Sequence, residues 1–437
     1  VVTRNNAAGF ALGLALALTC LAQQSAGSLD TLLSRHRAEP SNALICEQIG
    51  VLYARLNEFD KAAEFFQKTV ALNPQRLAAQ KNLATVLWFL GRKSESSALF
   101  ATLEKRLPDD PVPQLYLGLA AYDKKNMEAA ASHFEHAGTL ASDNSETAPF
   151  VIESYLDTRR FEKASQLLEH QIASSNADSQ TYRWLGDAYD AQAQPEKASQ
   201  AYSKAIEIAP ELADNYLALA GFSMEHANPS YAREVLSRGL RKTTAPAKLL
   251  LETGLAWAIE GNFEAAKQSF SDATAADPTW PIPLLALGVT GLQTGNAEQA
   301  AECFREAQRI APNDYRCYYL HALALTRSSR NEDPKTRTLA TAELLRAVSL
   351  EPNHAQPRIA LAQNEISDGR LADAEFQLRQ AIRIDPTESS ALYKLALLCR
   401  REGKTQEAAR LLQSFQQSKA KSHSEENQFV QILRIVK

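Results

Sequence analysis

Alanine returns along this chain every 34 residues: Ala62, Ser96, Ala130, Ala164, Ala198, Ala232, Ala266 and Ala300, then Ala340, Ala374 and Ala408 after one interval of 40. The one serine is also small. Proline keeps the same phase twelve residues later, at Pro74, Pro108, Pro210, Pro278, Pro312, Pro352 and Pro386. Four residues after the alanine comes a large, mostly apolar side chain, from Phe66, Phe100 and Phe134 through Phe270 and Phe304 to Leu344, Leu378 and Leu412. A fixed period of this length marks stacked supersecondary units, since no single unit can bury its own apolar stripe.

Each period contains two helices. Apolar residues recur at helical spacing, as Ile45, Ile49, Leu52 and Tyr53 and then Ala62, Phe65, Phe66 and Val70 in the stretch 43–76. Short polar turns separate the two, among them Gly91-Arg92-Lys93, Gly261-Asn262 and Gly295-Asn296. Glycine there suits a left-handed residue closing a helix. A small residue on the alanine ladder lets two helix backbones approach, and the large residue one turn later fills the adjoining space. Proline disfavours a helical residue before it and has no N–H to donate, so it closes one unit and opens the next.

The stretch Ser179–Leu212 carries Leu185-Gly186, Tyr189, Ala198, Tyr202, Ala205 and Pro210, and through these residues the chain resembles the tetratricopeptide repeat family. Eleven repeats follow in register: 43–76, 77–110, 111–144, 145–178, 179–212, 213–246, 247–280, 281–314, 315–354, 355–388 and 389–422. The third, fourth, sixth and eleventh lack the closing proline. The resemblance implies an all-α, right-handed α-solenoid of helix-turn-helix units with capping helices. Residues 27–42 read as an N-terminal cap around the helix Leu29–Arg37. Residues 423–437 read as a C-terminal cap, with Phe429 and Leu433 turned inward. The extra six residues of the ninth repeat fall in the polar run Arg327–Thr338, which is either a tolerated loop insertion or a binding loop.

Ahead of the repeats, residues 1–26 hold one basic residue, Arg4, and then the uncharged apolar run Ala7–Ala22. That run is short for a membrane span and suits a signal-peptide core. The expectation is a periplasmic or secreted bacterial protein. The alternatives are a retained inner-membrane anchor, lipidation at Cys20, or a cytoplasmic protein; membrane contact is expected only if the segment is retained or Cys20 is lipidated. The first residue is Val, so the start is either a non-ATG codon or lies upstream.

Residue chemistry points away from catalysis. His133 and His136 share a helix face without a third ligand beside them. The carboxylates Glu153, Asp157, Asp187 and Asp190 read as a solvated acidic stretch, and Cys46, Cys303, Cys317 and Cys399 as buried thiols. There is no Gly-rich phosphate loop, nucleophile elbow or HExxH. No cofactor, metal or small-molecule substrate is expected. A net charge of −4, with lysine and arginine dispersed, does not suit nucleic acid.

Function is therefore expected on a surface that takes a protein or peptide segment. The family resemblance implies that first helices line a concave groove through the second, fifth, ninth, twelfth and thirteenth residues of each repeat. Carried over, this gives Lys81, Thr85, Trp88 and Phe89 in the second repeat and Leu251, Leu255, Ile259, Leu285, Val289, Tyr319 and Leu323 in the seventh to ninth. The carboxylate clamp of chaperone-binding relatives is met only by Lys81 and Asn82. The expected role is a non-enzymatic adaptor of the bacterial envelope, binding an extended segment or amphipathic helix. An accessory subunit of a polysaccharide-export, pilus or outer-membrane assembly machine, or a cytosolic or membrane-tethered scaffold, is the alternative.

Overall fold

The computed structural model describes residues 29–174, 177–328 and 333–421, and every regular element among them is an α-helix. Packing divides the chain into two compact bodies, Val1–Ile208 and Ala209–Lys437. In the first, α1 (Leu29–Ala38) precedes the pairs α2 (Ala43–Arg55) with α3 (Phe59–Leu72), and α4 (Leu77–Phe89) with α5 (Lys93–Arg106). Next come α6 (Pro111–Asp123), α7 (Met127–Ala137) and the single turn α8 (Thr139–Ser142). The pairs α9 (Ala148–Asp157) with α10 (Phe161–Ala173), and α11 (Ser179–Ala191) with α12 (Pro195–Ile208), complete this body.

The second body contains α13 (Ala213–Glu225) with α14 (Pro229–Leu240), α15 (Pro246–Ile259) with α16 (Phe263–Ala276), and α17 (Ile282–Gln293) with α18 (Ala297–Ile310). It continues with α19 (Tyr315–Arg327) and α20 (Pro334–Leu350), α21 (Ala355–Ser367) and α22 (Leu371–Ile384), and α23 (Ser389–Arg401) and α24 (Thr405–Lys421). Within each body, neighbouring helices along the chain pack against one another.

The turn inside each pair follows a local code. Ten residues have positive φ at the fifteenth position of their repeats: Asn57, Gly91, Lys125, Arg159, Ala193, Ala227, Gly261, Gly295, Gly369 and Gly403. The next residue is asparagine in four repeats, and its Oδ1 accepts the amide three residues on: Asn126 from Ala129, Asn228 from Tyr231, Asn262 from Ala265 and Asn296 from Gln299. A left-handed residue ends one helix and a side-chain cap starts the next.

All eleven members of the alanine ladder are buried, and Ser96 keeps its hydroxyl satisfied by donating to the Ala84 carbonyl at 2.7 Å. Packing also couples two positions sixteen residues apart. Gly50, Gly118, Gly186, Gly254 and Gly288 face the rings of Phe66, Phe134, Tyr202, Phe270 and Phe304. A Cβ on Gly288 would stand 2.5 Å from Phe304, and one on Gly118 would stand 2.6 Å from Phe134. Where the first position has a side chain, the second is mostly leucine, as in Ile152 with Leu168, Ala220 with Leu236 and Ala362 with Leu378; Ala84 with Phe100 is the exception. The space between helices is shared between these two side chains, so one shrinks where the other grows.

Two expectations need correction. Part of the Arg327–Thr338 run is helix, because Pro334 occupies the first turn of α20 and the Asp333 side chain caps it by accepting the Lys335 amide. The boundary of the third and fourth repeats is also irregular. Gly138, at φ 56°, interrupts the second helix of the third repeat, and α9 does not begin until Ala148. Helix α1 covers the Leu29–Arg37 stretch, with Leu32 buried against the first pair. The expected leader, 1–26, and the expected C-terminal cap, 423–437, lie outside the described residues.

Candidate functional site

First helices carry every residue of the expected groove, and their burial decides which remain available. In the second body, Leu251, Leu255, Leu285, Val289 and Tyr319 are all buried, Leu285 completely, in one core with Phe270, Phe304 and Leu344. This corrects the expectation of an open apolar stripe. The first helices α17 and α19 pack on each other, as α15 packs on α16 and α17 on α18, and these side chains fill the seams. Leu323 is half-buried, and Ile259 alone of the seven is exposed, at 49%. In the first body, Trp88 is buried with its ring 5.4 Å from Tyr116, and half-buried Phe89 stacks on Phe59 at 5.2 Å. Neither offers a free aromatic face.

The polar side chains of the first helices are largely engaged within the protein. Lys81 pairs with Asp110 at 2.5 Å, and Asn82 is buried with no hydrogen-bond partner for its Nδ2 among the described residues, so one possible clamp donor is held in an ion pair and the other lies out of reach of solvent. Glu153 accepts a hydrogen bond from the Tyr122 hydroxyl, and Asp187 accepts one from Tyr202 at 2.7 Å. Burial and the neighbouring carboxylate both push the Tyr122 hydroxyl above its usual range. In the second body, the Arg316 guanidinium forks onto Asp314, with its Nη2 2.7 Å from Oδ2.

The paired histidines have separate partners. His133 meets Gln114 at 2.7 Å and His136 meets the Ser132 carbonyl at 2.8 Å. Among the described residues, no three His, Cys, Asp or Glu side chains are grouped to hold a metal ion. Cys46, Cys303, Cys317 and Cys399 are free and buried, and desolvation pushes the Cys303 thiol to about 11 and the Cys317 thiol to about 12. No helix among the described residues is long and apolar enough to cross a membrane.

Two features escaped the sequence reading. A cavity of about 460 Å³ opens in the first body where α9 starts late, lined by Ser142, Asp143, His170, Gln171, Gln180 and Trp184 among others. Its signal was the glycine at 138 and the missing proline at the end of the third repeat. The other is an exposed apolar end on α23, where Tyr393 and Leu397 are 44% and 43% exposed.

Models of the tetratricopeptide repeat match residues 53–117, 179–212, 260–315 and 359–423. This chain belongs to the tetratricopeptide repeat family. Repeats of this family are scaffolds for protein–protein interaction. A curated relative, interferon-induced protein with tetratricopeptide repeats 3 from Mus musculus, is 27% identical over 125 residues. That match covers 29% of this chain and 30% of the relative. Among solved structures, yeast Tom70 is 17% identical over 98% of this chain and 95% of its own, with a TM-score of 0.47. MamA from Desulfovibrio magneticus RS-1 is 20% identical over 41% of this chain and 97% of its own, with a TM-score of 0.35. YrrB, described as having an unusual peptide-binding site, is 20% identical over 45% of this chain and 98% of its own, also at 0.35.

Proposed function

We propose that this tetratricopeptide repeat chain is a non-enzymatic adaptor of a bacterial cell envelope, holding an extended segment of a partner protein against its first helices. The burial of the mapped stripe carries the choice of partner. With Leu251, Leu255, Leu285, Val289 and Tyr319 committed to the core, Ile259 and half-buried Leu323 are what remains of it. Lys248, Glu252, Gln293, Arg316 and Arg327 are partly or fully exposed on the same three helices. Two apolar contacts among polar side chains suit an extended peptide better than an amphipathic helix, which needs a continuous groove. The envelope is favoured by the composition of residues 1–26, a single basic residue and then an apolar run ending in small side chains.

A photo-crosslinking residue placed at Ile259 or Leu323, with Glu264 on the second helix α16 as control, tests the partner surface in cells. An adduct formed at 259 and 323 but not at 264 is the expected result; equal labelling at 264, or none at 259 and 323, rules the surface out. N-terminal sequencing of the same protein tests the compartment. Cleavage near Gln23 or Gly27 in a periplasmic fraction is expected, and an intact Arg4 on cytosolic protein would overturn it.

A further inference from the structure

Helix α9 is ten residues long, whereas the other first helices run for twelve to fourteen. The stretch 143–147 stands in place of its first turn and is tied down locally. The Glu146 amide donates to Asn144 Oδ1 at 2.9 Å, and buried Thr147 donates its hydroxyl to the Ala141 carbonyl at 2.6 Å. The space that a helical turn would fill is therefore held open, as the cavity of about 460 Å³. Its floor is firm, since Ile152 and Thr181 are buried and Thr181 is locked with Asp178 in the capping box of α11. Pre-formed hollows of roughly 300–1,000 Å³ are the usual size for small-molecule sites.

The lining sorts the ligands that fit. Among the described residues no lysine or arginine lines the cavity, while Asp143 and Asp178 do, so an anion would meet two carboxylates and no counter-charge. Hydroxyls, amides and the His170 imidazole make up most of the rest, which disfavours a wholly apolar ligand. A cation is poorly served as well. Asp143 and Asp178 are both exposed, where attraction is screened, and Asp178 Oδ1 already accepts from the Thr181 amide and hydroxyl at 2.8 and 2.9 Å. What fits is uncharged and rich in hydroxyls. The side chains of Ser145, His170, Gln171 and half-buried Trp184 have no hydrogen-bond partner among the described residues, so they offer donors and acceptors beside an indole. A pyranose ring has the matching division, an apolar C–H face and a rim of hydroxyls that each donate and accept.

We propose that this cavity binds a neutral saccharide of one or two rings, with a pyranose face against the Trp184 indole and its hydroxyls shared among Asp143, His170 and Gln171. The site lies wholly within the first body. It is independent of the peptide surface at Ile259 and Leu323, so the two readings stand or fall separately.

Calorimetric titration of the full chain with cellobiose, maltose and N,N′-diacetylchitobiose, run beside arginine amide as a cationic probe, tests this. Saturable binding of at least one disaccharide is expected, accompanied by a change in tryptophan fluorescence. Trp184→Leu and Gln171→Ala should each weaken that binding by roughly fivefold or more. Asp143→Asn removes a charge but keeps a hydrogen-bonding oxygen, so it should change saccharide affinity by less than about threefold. Gln171 and Asp143 are not in the core, so these two variants keep the test valid if Trp184→Leu fails to fold. No saturable binding of any of the three disaccharides would overturn the proposal. So would affinity that Gln171→Ala and a folded Trp184→Leu both leave unmoved. Binding of arginine amide alone, abolished by Asp143→Asn, would overturn it in favour of a seat for a cationic side chain.

Discussion

Ala193 and Ala227 hold a left-handed backbone that their side chains disfavour, at the position where five other repeats place glycine. A left-handed residue with a Cβ costs about 1–2 kcal/mol, and glycine returns part of this as entropy in the unfolded chain. Ala193→Gly and Ala227→Gly should therefore each stabilise the protein by about 0.5–1 kcal/mol, measured by urea unfolding; a loss of stability would mean the turn is not strained. The coupling of glycine to aromatic gives a second test at this scale. Phe304→Leu leaves a gap beside Gly288, and Gly288→Ala should refill it, reproducing the Ala-with-Leu pairing of Ala362 and Leu378. The double mutant should be more stable than the sum of the single effects by about 0.5–3 kcal/mol. Strict additivity would refute the shared space.

Glu365 is the costly residue. It is buried at the position that holds Tyr53, Leu87, Tyr155 and Tyr189 elsewhere, and its Oε2 has no hydrogen-bond partner among the described residues. Burial raises its carboxyl above the ordinary 4.5. As pH rises, the unfolded chain releases this proton first, so the native state loses stability from the ordinary value upward to the raised one. Glu365→Leu should stabilise by about 1–3 kcal/mol at pH 7, and by less at pH 4, in denaturant titrations at the two pH values. A gain that does not depend on pH would show that the carboxyl is not the cause.

At the scale of helices, the pairing was readable because everything that defines a pair is local: the apolar spacing, the left-handed turn and the closing proline. Leu29–Arg37 emerged as a helix for the same reason. Late initiation of α9 was not readable, since it depends on Gly138 ending α7 and on Thr147 being buried with its hydroxyl donating to the Ala141 carbonyl at 2.6 Å. The groove map failed at this scale too. Leu285 is completely buried in the seams of α17, so Leu285→Glu should cost several kcal/mol through an unpaired buried carboxylate. Loss of the cooperative thermal transition of the second body is the expected readout. An unchanged melting temperature would return Leu285 to the surface.

For the molecule as a whole, the four described cysteines report on global integrity. All are buried, and the raised Cys303 and Cys317 thiols are protonated at neutral pH, so neither burial nor ionisation favours attack. At pH 8 the folded protein should leave Cys46, Cys303, Cys317 and Cys399 unlabelled by a thiol reagent over minutes, while denatured protein labels all four. Rapid native labelling at any of them, located by mass spectrometry, would reveal local opening of that repeat. The amino-acid sequence by itself determined the family, the phase of the repeats and the burial of every alanine on the ladder, because a strict period forces equivalent residues into equivalent environments. What only the tertiary structure decided was the fate of the first helices. Whether a fifth- or ninth-position side chain meets solvent or the next helix depends on how closely successive first helices approach. That distance is set by packing between repeats, as at Leu285 and Tyr393, and the period does not encode it.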